Sequence, residues 1–178
     1  AKGLLKTAIR DDNPVVIFED KLMYQDKAFV PEEEYCLPFG KAAILREGTD
    51  VTLIGTSSMR QVCEKAALLL EQDGISAEVI DPRTLVPLDE NTILDSVKKT
   101  SRAIVVDEGH QNFGTTAEIA ARISEKAFYF LDAPVVRMGA MDVPIPFSPV
   151  LEDLTVPTAA GVADKAKKIV AGELIHAL

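Results

Sequence analysis

The segment from residue 77 to residue 114 constrains the fold of this chain more than any other part of the sequence. It contains two short apolar runs, at residues 78–81 and 103–107, and each run ends in charged side chains. Between them, residues 90–99 carry apolar side chains at the spacing of an amphipathic helix. This order predicts a strand–helix–strand crossover of an open α/β sheet. Because ligands and partners gather at the carboxyl ends of such strands, we expect function at this edge.

The flanking sequence continues the same alternation. We predict further strands at residues 42–46, 51–55 and 135–138, and helices that begin near Met59, Thr115 and Thr158. The alternation predicts a three-layer α/β/α fold with a five-stranded, mostly parallel sheet and one antiparallel strand. The antiparallel strand is the first, since the short turn at residues 48–50 favours a hairpin between the first two strands.

Local signals mark the helix ends. The runs Ser58-Met59-Arg60-Gln61 and Thr115-Thr116-Ala117-Glu118 fit the capping-box pattern, in which a hydroxyl and a distal Glu or Gln satisfy backbone amides. Gly74 is placed to end the first of these two helices in the left-handed conformation.

The first 38 residues differ from the rest. Residues 4–9 have helical spacing, a helix that Asn13-Pro14 should end, and residues 15–19 fit a buried strand. Residues 20–38 lack periodicity and indicate a linker. We therefore predict that residues 1–38 are the tail of an upstream domain plus a linker and that residues 39–178 form a second domain. A helix pattern that starts without methionine indicates the back part of a longer protein, with a processed natural start as the alternative.

The charge and cysteine content narrow the functional classes. The chain has 28 acidic and 19 basic side chains, a net charge of −9, which disfavours nucleic acid and favours a basic protein partner. No apolar run approaches the roughly 20 residues that cross a bilayer, and no signal peptide is recognisable. Cys36 and Cys63 are too few for a disulfide framework and suit a reducing cytoplasm. Both are expected to be buried, small apolar side chains.

Catalytic and phosphate-binding motifs are scarce. The sequence has no G-x-G-x-x-G, no G-x-x-x-x-G-K-[ST] and no Gly-Asp-Gly, and neither histidine lies at metal-ligand spacing from a cysteine or the other histidine. His110 is the one candidate for acid–base work, because it follows a strand end beside Asp107 and Glu108. The alternative is a solvated loop histidine. His176, near the end of the chain, is not expected to be catalytic.

Two other polar segments are candidates for binding. Arg83 follows a strand end and can pair with Asp81 or Glu108, or reach an anionic partner; structural pairing is the favoured interpretation. Residues 8–13 combine helix-end carbonyls with short oxygen-bearing side chains, which are ligands that a hard cation prefers.

Several motifs together resemble a known family. They are Asp81-Pro82-Arg83-Thr84-Leu85-x-Pro87-Leu88-Asp89, Ser96-Val97-x-Lys99-Thr100, Val106-x-Glu108-Gly109, Phe128-x-x-Leu131-Asp132-Ala133-Pro134 and Asp142-Val143-Pro144-Ile145-Pro146. They resemble the transketolase C-terminal domain and, more narrowly, the β subunit of thiamine-diphosphate-dependent 2-oxo acid dehydrogenases (pyruvate or branched-chain) and of acetoin dehydrogenase. The resemblance runs from the start of the chain to about residue 170.

The resemblance implies the C-terminal part of a β subunit, an oxidoreductase component whose first domain binds the pyrimidine of the cofactor. Its catalytic glutamate would lie upstream, and the diphosphate–magnesium motif belongs to the α subunit. This chain alone is then expected to be inactive and to hold neither thiamine diphosphate nor magnesium. The implied partners are the α subunit, a second β subunit and the lipoyl acyltransferase core, whose basic binding domain suits an acidic surface.

The resemblance also implies a potassium site formed by the Ala8 and Ile9 carbonyls with Asp11 and Asn13, and one further ligand upstream. Many family members have a different residue at the position of His110, so the resemblance assigns no catalytic role to this histidine. Two alternatives stay open at this point. One is a non-catalytic interaction domain unrelated to thiamine chemistry, and the other is part of a transketolase-like enzyme, for whose phosphate-binding arginines we find no convincing counterparts.

Overall fold

A five-stranded sheet organises the chain, and the computed structural model describes it within residues 1–173. The strands are β1 Ala43–Arg46, β2 Val51–Gly55, β3 Ala77–Asp81, β4 Ala103–His110 and β5 Val136–Ala140. Their order is β1-β3-β2-β4-β5, with β1 antiparallel to β3 and the other pairs parallel. The predicted mostly parallel sheet with one antiparallel strand is confirmed. His176 lies outside the described residues.

Helices cover both faces of this sheet. They are α1 Lys2–Arg10, α2 Met59–Gln72, α3 Glu90–Thr100, α4 Thr115–Ala127, α5 Pro149–Glu152 and α6 Ala159–Val170, with 3₁₀ turns at Lys21–Gln25 and Phe128–Phe130. α2 and α6 pack on one face and α3 and α4 on the other, so the predicted three-layer α/β/α arrangement is confirmed. Within residues 1–173, no helix has the length and apolar character that a membrane span requires.

The central strand β2 shows why the sheet is buried on both sides. Leu53 packs toward α2 and α6, whereas its neighbour Ile54 packs toward α3 and α4, and both are fully buried. Successive side chains of a strand point to opposite faces, so a continuous apolar run supplies both cores. At about 25 cal/mol per Å² of apolar surface, these two cores are the main favourable contribution to folding.

The predicted hairpin between β1 and β2 is wrong, although β1 is antiparallel as expected. β1 pairs with β3, because β2 already has β3 and β4 as parallel neighbours. The turn between β1 and β2 crosses the start of β3, where the Thr49 and Asp50 amides both donate to the Ser76 carbonyl at 3.1 and 2.8 Å. A short turn therefore joins two strands that are not neighbours.

Both predicted capping boxes are wrong. Ser58 does not cap α2; its hydroxyl donates instead to Glu108 Oε2 at 2.5 Å. α4 begins after Gly114, and Glu118 in its first turn binds Arg122. In the first case a tertiary partner competes for the side chain, and in the second the start of the helix is set by the glycine. The left-handed Gly74 after α2, with φ 75°, is confirmed. The predicted start of α6 near Thr158 is also confirmed, and the Thr158 hydroxyl caps this helix by accepting from the Gly161 amide at 3.1 Å.

The N-terminal residues differ from the prediction in two respects. Residues 15–19 form no strand and are exposed, since within residues 1–173 no strand lies beside them to accept their backbone hydrogen bonds. Cys63 is buried as expected, but Cys36 is exposed, with Arg10 Nη1 at 3.6 Å from its sulfur. Cys36 lies in the segment that passes over α1 outside the core.

The N-terminus of α3 is anchored by a buried carboxylate. Asp89 accepts from the Thr92 hydroxyl at 2.8 Å, from the Thr92 amide at 3.4 Å and from the Ala42 amide at 3.0 Å. Burial acts to raise the pKa of Asp89, but these donors outweigh it and hold the pKa below its ordinary value. The carboxylate thus joins α3 to the residue that precedes β1.

We expect Asp89→Ala to lower the free energy of unfolding by about 2 kcal/mol at neutral pH, since it orphans buried donors. Because the folded pKa is lowered, this contribution is complete above the unfolded pKa of about 3.9 and is lost as pH falls through the folded pKa. Urea unfolding at pH 7 and pH 3 measures both effects. Asp89→Asn is the matched control and should lose less, and equal losses for the two variants would contradict the prediction.

Candidate functional site

The carboxyl ends of β2, β3, β4 and β5 meet at one edge of the sheet, as expected for parallel strands. Three of the four non-glycine residues with positive φ lie just beyond these ends: Ser57 after β2, Arg83 after β3 and Phe113 after β4. Such conformations cost about 1–3 kcal/mol each and persist only where the surroundings determine them. This edge is therefore the candidate functional site. Asp107, Glu108 and His110 lie there at the end of β4, and their functional roles stay predictions.

A bulge shapes the end of β4. Val106 pairs with Met138 and His110 pairs with Ala140, so three residues of β4 lie opposite the single Gly139 of β5. A Cβ on Gly139 would lie 2.7 Å from Gln111 backbone atoms, and only glycine allows this approach. Bulges of this kind bend the strand and re-aim its side chains. The bulge extends β4 to His110, three residues beyond its predicted end.

The two carboxylates of the bulge are engaged by the neighbouring strand end. Asp107 accepts two hydrogen bonds. One comes from the Gly109 amide in its own loop, at 2.6 Å, and the other from the Thr56 hydroxyl. Glu108 accepts from Ser58. These bonds tie the end of β2 to the end of β4. The turn at residues 56–58 was missed as part of the site, although hydroxyl side chains directly after a buried strand were a usable signal.

His110 does not meet either carboxylate. Its Nδ1 donates to the Met141 carbonyl at 2.9 Å, and the ring is exposed. This contact joins the end of β4 to the segment after β5. The ring can thus hold that segment in place, while its use in acid–base chemistry remains a prediction.

Arg83 is exposed, and its expected pairing with Asp81 or Glu108 is wrong. Asp81 Oδ1 accepts from the Arg83 backbone amide at 2.8 Å instead. Within residues 1–173, the guanidinium forms no ion pair or side-chain hydrogen bond. The tight turn of the backbone satisfies the carboxylate locally, and the long side chain is left at the surface.

The edge does not fit a diphosphate with its metal ion. Asp107, Glu108 and Asp142 place negative charge there, and each is engaged by a hydroxyl, an amide or Asn112. Residues 1–173 contain no group of three His, Cys, Asp or Glu side chains arranged to hold a metal ion. The edge offers fixed polar groups, the exposed guanidinium of Arg83 and a fully exposed Phe113.

The candidate cation segment forms a compact turn after α1. The Ala8 carbonyl accepts from the Asp11 amide at 3.3 Å, and Asp11 Oδ1 accepts from the Asn13 amide and side chain at 2.8 and 2.9 Å. These two bonds from Asn13 lower the pKa of Asp11. The turn ends α1 at Arg10, earlier than expected, and brings Ala8, Asp11 and Asn13 together. A potassium site at these residues and the Ile9 carbonyl remains a prediction.

Comparison with known proteins identifies the family. Residues 40–162 match the family model described as "Transketolase, C-terminal domain". The chain belongs to the transketolase C-terminal domain family. This domain also superposes on the split-gene transketolase solved as an inactive β4 tetramer, with a TM-score of 0.69 and 29% identity, covering 82% of this chain and 46% of that one.

Two curated relatives of this transketolase C-terminal domain are β subunits. The acetoin:2,6-dichlorophenolindophenol oxidoreductase subunit beta of Bacillus subtilis (strain 168) is 49% identical over 158 residues, covering 89% of this chain and 46% of that protein. The pyruvate dehydrogenase E1 component subunit beta of Rickettsia felis is 45% identical over 168 residues, covering 94% and 52%. The chain spans about half the length of the curated relatives it matches.

Proposed function

We propose that this transketolase C-terminal domain is the C-terminal part of the β subunit of a thiamine-diphosphate-dependent 2-oxo acid or acetoin dehydrogenase complex. The supporting observation is the identity of 49% and 45% with two β subunits over about nine-tenths of this chain. The complete enzyme would decarboxylate a 2-oxo acid, or cleave acetoin, and pass the acyl unit to lipoyl groups.

The role proposed for this domain is assembly. Phe113, Met141 and Phe147 carry exposed apolar surface at or beyond the carboxyl edge, and exposed apolar patches mark interaction sites. The partners would be the α subunit, a second β subunit and a basic domain of the lipoyl acyltransferase core. The net charge of −9 supports the last of these, because complementary charge steers association.

The function is tested by producing the full-length β subunit together with the α subunit of the same organism. Reduction of 2,6-dichlorophenolindophenol would be measured with pyruvate, a branched-chain 2-oxo acid and acetoin as separate substrates. We expect thiamine-diphosphate-dependent turnover of one of them. Co-purification of the two subunits is the second readout. A full-length chain that neither binds an α subunit nor supports turnover would instead favour an interaction domain unrelated to thiamine chemistry.

We expect the chain 1–178 alone to show no binding of thiamine diphosphate with Mg²⁺ in calorimetric titration. The physical reason is the acidic carboxyl edge, which repels a diphosphate, together with the absence of a phosphate-binding loop from the sequence. The complete α–β enzyme is the positive control. A dissociation constant near 1 µM for the isolated chain would contradict the prediction.

Three finer assignments belong to the same proposal. Residues 1–38 would be the tail of a pyrimidine-binding domain plus a linker, and residues 39–178 the assembly domain. The turn after α1 would hold potassium through the Ala8 and Ile9 carbonyls with Asp11 and Asn13. The protein would work in the cytoplasm, and its two free thiols support a reducing compartment.

The potassium site is tested by melting the complete enzyme in KCl and in NaCl at equal ionic strength. We expect KCl to raise the melting temperature, because an ion that binds only the folded state stabilises it. Asp11→Ala should remove that difference, whereas Asp12→Ala, beside the site, should keep it. Equal melting temperatures in the two salts for the unmodified enzyme would contradict the assignment.

A further inference from the structure

The segment of residues 31–37 is bound to the start of α1. The Lys2 ammonium donates to the Pro31 carbonyl and, at 2.9 Å, to the Glu33 carbonyl. The same ammonium lies over the Tyr35 ring, 5.1 Å from its centre, where the face of the ring attracts a cation. One lysine therefore fastens the first part of the segment to the helix.

The end of this segment is bound to α1 as well. The Leu37 amide donates to the Gly3 carbonyl at 3.2 Å, and the Leu37 carbonyl accepts from the Thr7 hydroxyl at 2.6 Å. A Cβ on Gly3 would lie 2.7 Å from the Leu37 side chain, so glycine permits this close approach. Arg10 pairs with Glu34 at the far end of the helix. The helix and the segment thus form one body.

This body, which we call the arm (residues 1–37), has few polar attachments to the rest of the structure. Both hydrophobic cores are built from residues 42–170. In the described part of the chain, one hydrogen bond and no ion pair join the arm to residues 38–173: Gln61 Nε2 donates to Asp26 Oδ2 at 2.5 Å. A single hydrogen bond contributes little net free energy, because water competes for both groups.

A joint of two residues connects the arm to the α/β domain. Leu37 is bound to α1, whereas the Gly40 amide donates to the Thr84 hydroxyl at 3.0 Å in the loop after β3. Between these two fixed points, Pro38 and Phe39 form no backbone hydrogen bond within residues 1–173. A few loop residues of this kind are enough to absorb the dihedral changes of a hinge.

The single hydrogen bond of the arm lies at the carboxyl edge of the sheet. Gln61 is in the first turn of α2, which follows the carboxyl end of β2. In the same turn region, Ser58 donates to Glu108 of β4. We propose that the arm is a strap that swings about its two-residue joint and closes on this edge through Asp26 and Gln61. Because the strap is built within this chain, its closure is independent of the proposed function.

Distances between spin labels, measured by electron paramagnetic resonance, test the strap in the chain 1–178, which contains both cores. In a Cys36→Ser background, labels at Ile9→Cys and Leu68→Cys, both exposed positions, report the distance between the arm and α2. Cys63 is buried and should take no label, since burial raises the pKa of its thiol to about 12. We expect Gln61→Ala to raise the ratio of released to closed arm about fivefold, as the loss of one hydrogen bond does.

Two controls accompany this measurement. Arg60→Ala is the matched substitution, because Arg60 is next to Gln61 but pairs within α2, and it should leave the ratio unchanged. Labels at Ile9→Cys and Glu33→Cys both lie on the arm and should keep one narrow distance in every variant. Circular dichroism verifies that each variant is folded.

A disulfide tests where the strap closes. In the same background, Asp26→Cys with Gln61→Cys should form an intramolecular disulfide under mild oxidation, seen as faster migration on a non-reducing gel. Asp26→Cys with Leu68→Cys is the control. Leu68 lies about two helical turns farther along α2, so this pair should remain reduced.

Three results would contradict the proposal. One narrow distance between Ile9 and Leu68 that Gln61→Ala leaves unchanged would mean that other contacts fix the arm, and it would overturn the hinge. A distance between Ile9 and Glu33 that broadens would mean that the arm is not one body. Equal disulfide formation by both cysteine pairs would mean that the strap does not close at Gln61. None of these results depends on turnover by the complete enzyme, so a failure of the strap is distinguishable from a failure of the proposed function.

Discussion

Gly48→Ala is expected to lower the free energy of unfolding by about 3 kcal/mol or more. A Cβ at this position would lie 2.2 Å from the Ala77 carbonyl carbon and 2.2 Å from the Glu78 amide nitrogen. Both atoms belong to the backbone at the start of buried β3 and have little room to move. Since a domain is stable by only about 5–15 kcal/mol, the loss is a large fraction of the total. Urea unfolding measures it.

Gly74→Ala is the matched control for this substitution. Gly74 has φ 75° and no atom within 4 Å of its missing Cβ, so alanine there should cost about 1 kcal/mol through the backbone conformation alone. The difference between the two variants in free energy of unfolding separates the cost of steric crowding from the cost of the backbone conformation. If Gly48→Ala lowered the free energy of unfolding no more than Gly74→Ala does, the turn between β1 and β2 would pack less closely on β3 than the structure shows, which would contradict the prediction.

Lys99→Met is expected to lower the free energy of unfolding by about 2–3 kcal/mol at neutral pH, since it leaves a buried carboxylate without its counter-ion. Glu78 on β3 is 1% exposed, and its Oε2 accepts from Lys99 and, at 3.2 Å, from the Gly48 amide. Burial acts to raise the pKa of Glu78. The hydrogen bonds to its carboxylate, of which the one from Lys99 is the most important, outweigh burial and hold the pKa below its ordinary value. The ion pair therefore stabilises the junction of β1, β3 and α3.

The pH dependence distinguishes this mechanism from simple loss of packing. In the unmodified chain the Glu78 contribution is complete above the unfolded pKa of about 4.3 and is lost as pH falls through the lowered folded pKa. In Lys99→Met burial raises the folded pKa, so protonation relieves the cost, and the gap to the unmodified chain should narrow between pH 7 and pH 4. Lys99→Met with Glu78→Gln should recover most of the loss. A gap that is independent of pH would contradict the mechanism.

The fold class was predictable because its signal is local. A run such as Val51–Gly55 is apolar on both faces only where helices cover both sides of a sheet, and the helical spacing of Met59–Gln72 identifies one covering layer. The same logic failed for residues 15–19. An apolar run indicates a strand only if another strand lies beside it, and the run itself does not carry that information.

The candidate site was predicted in position but not in its contacts. Because polar residues follow the predicted strands, the sequence predicted that Asp107, Glu108 and His110 would lie at one edge of the sheet. Their partners, however, come from distant residues: Ser58 lies 50 positions before Glu108, and Met141 lies 31 positions after His110. Spacing along the chain does not determine such pairs, because they depend on which strands become neighbours.

By itself, the sequence of this protein determined the alternation of strands and helices and the motifs of the transketolase C-terminal domain. Only the tertiary structure decided that β1 lies against β3, that Ser58 binds Glu108 and that Arg83 lacks a partner. The physical reason is the range of the interactions. Periodicity records which face of each element is buried, whereas the pairing of strands and side chains follows from packing between segments far apart in the chain.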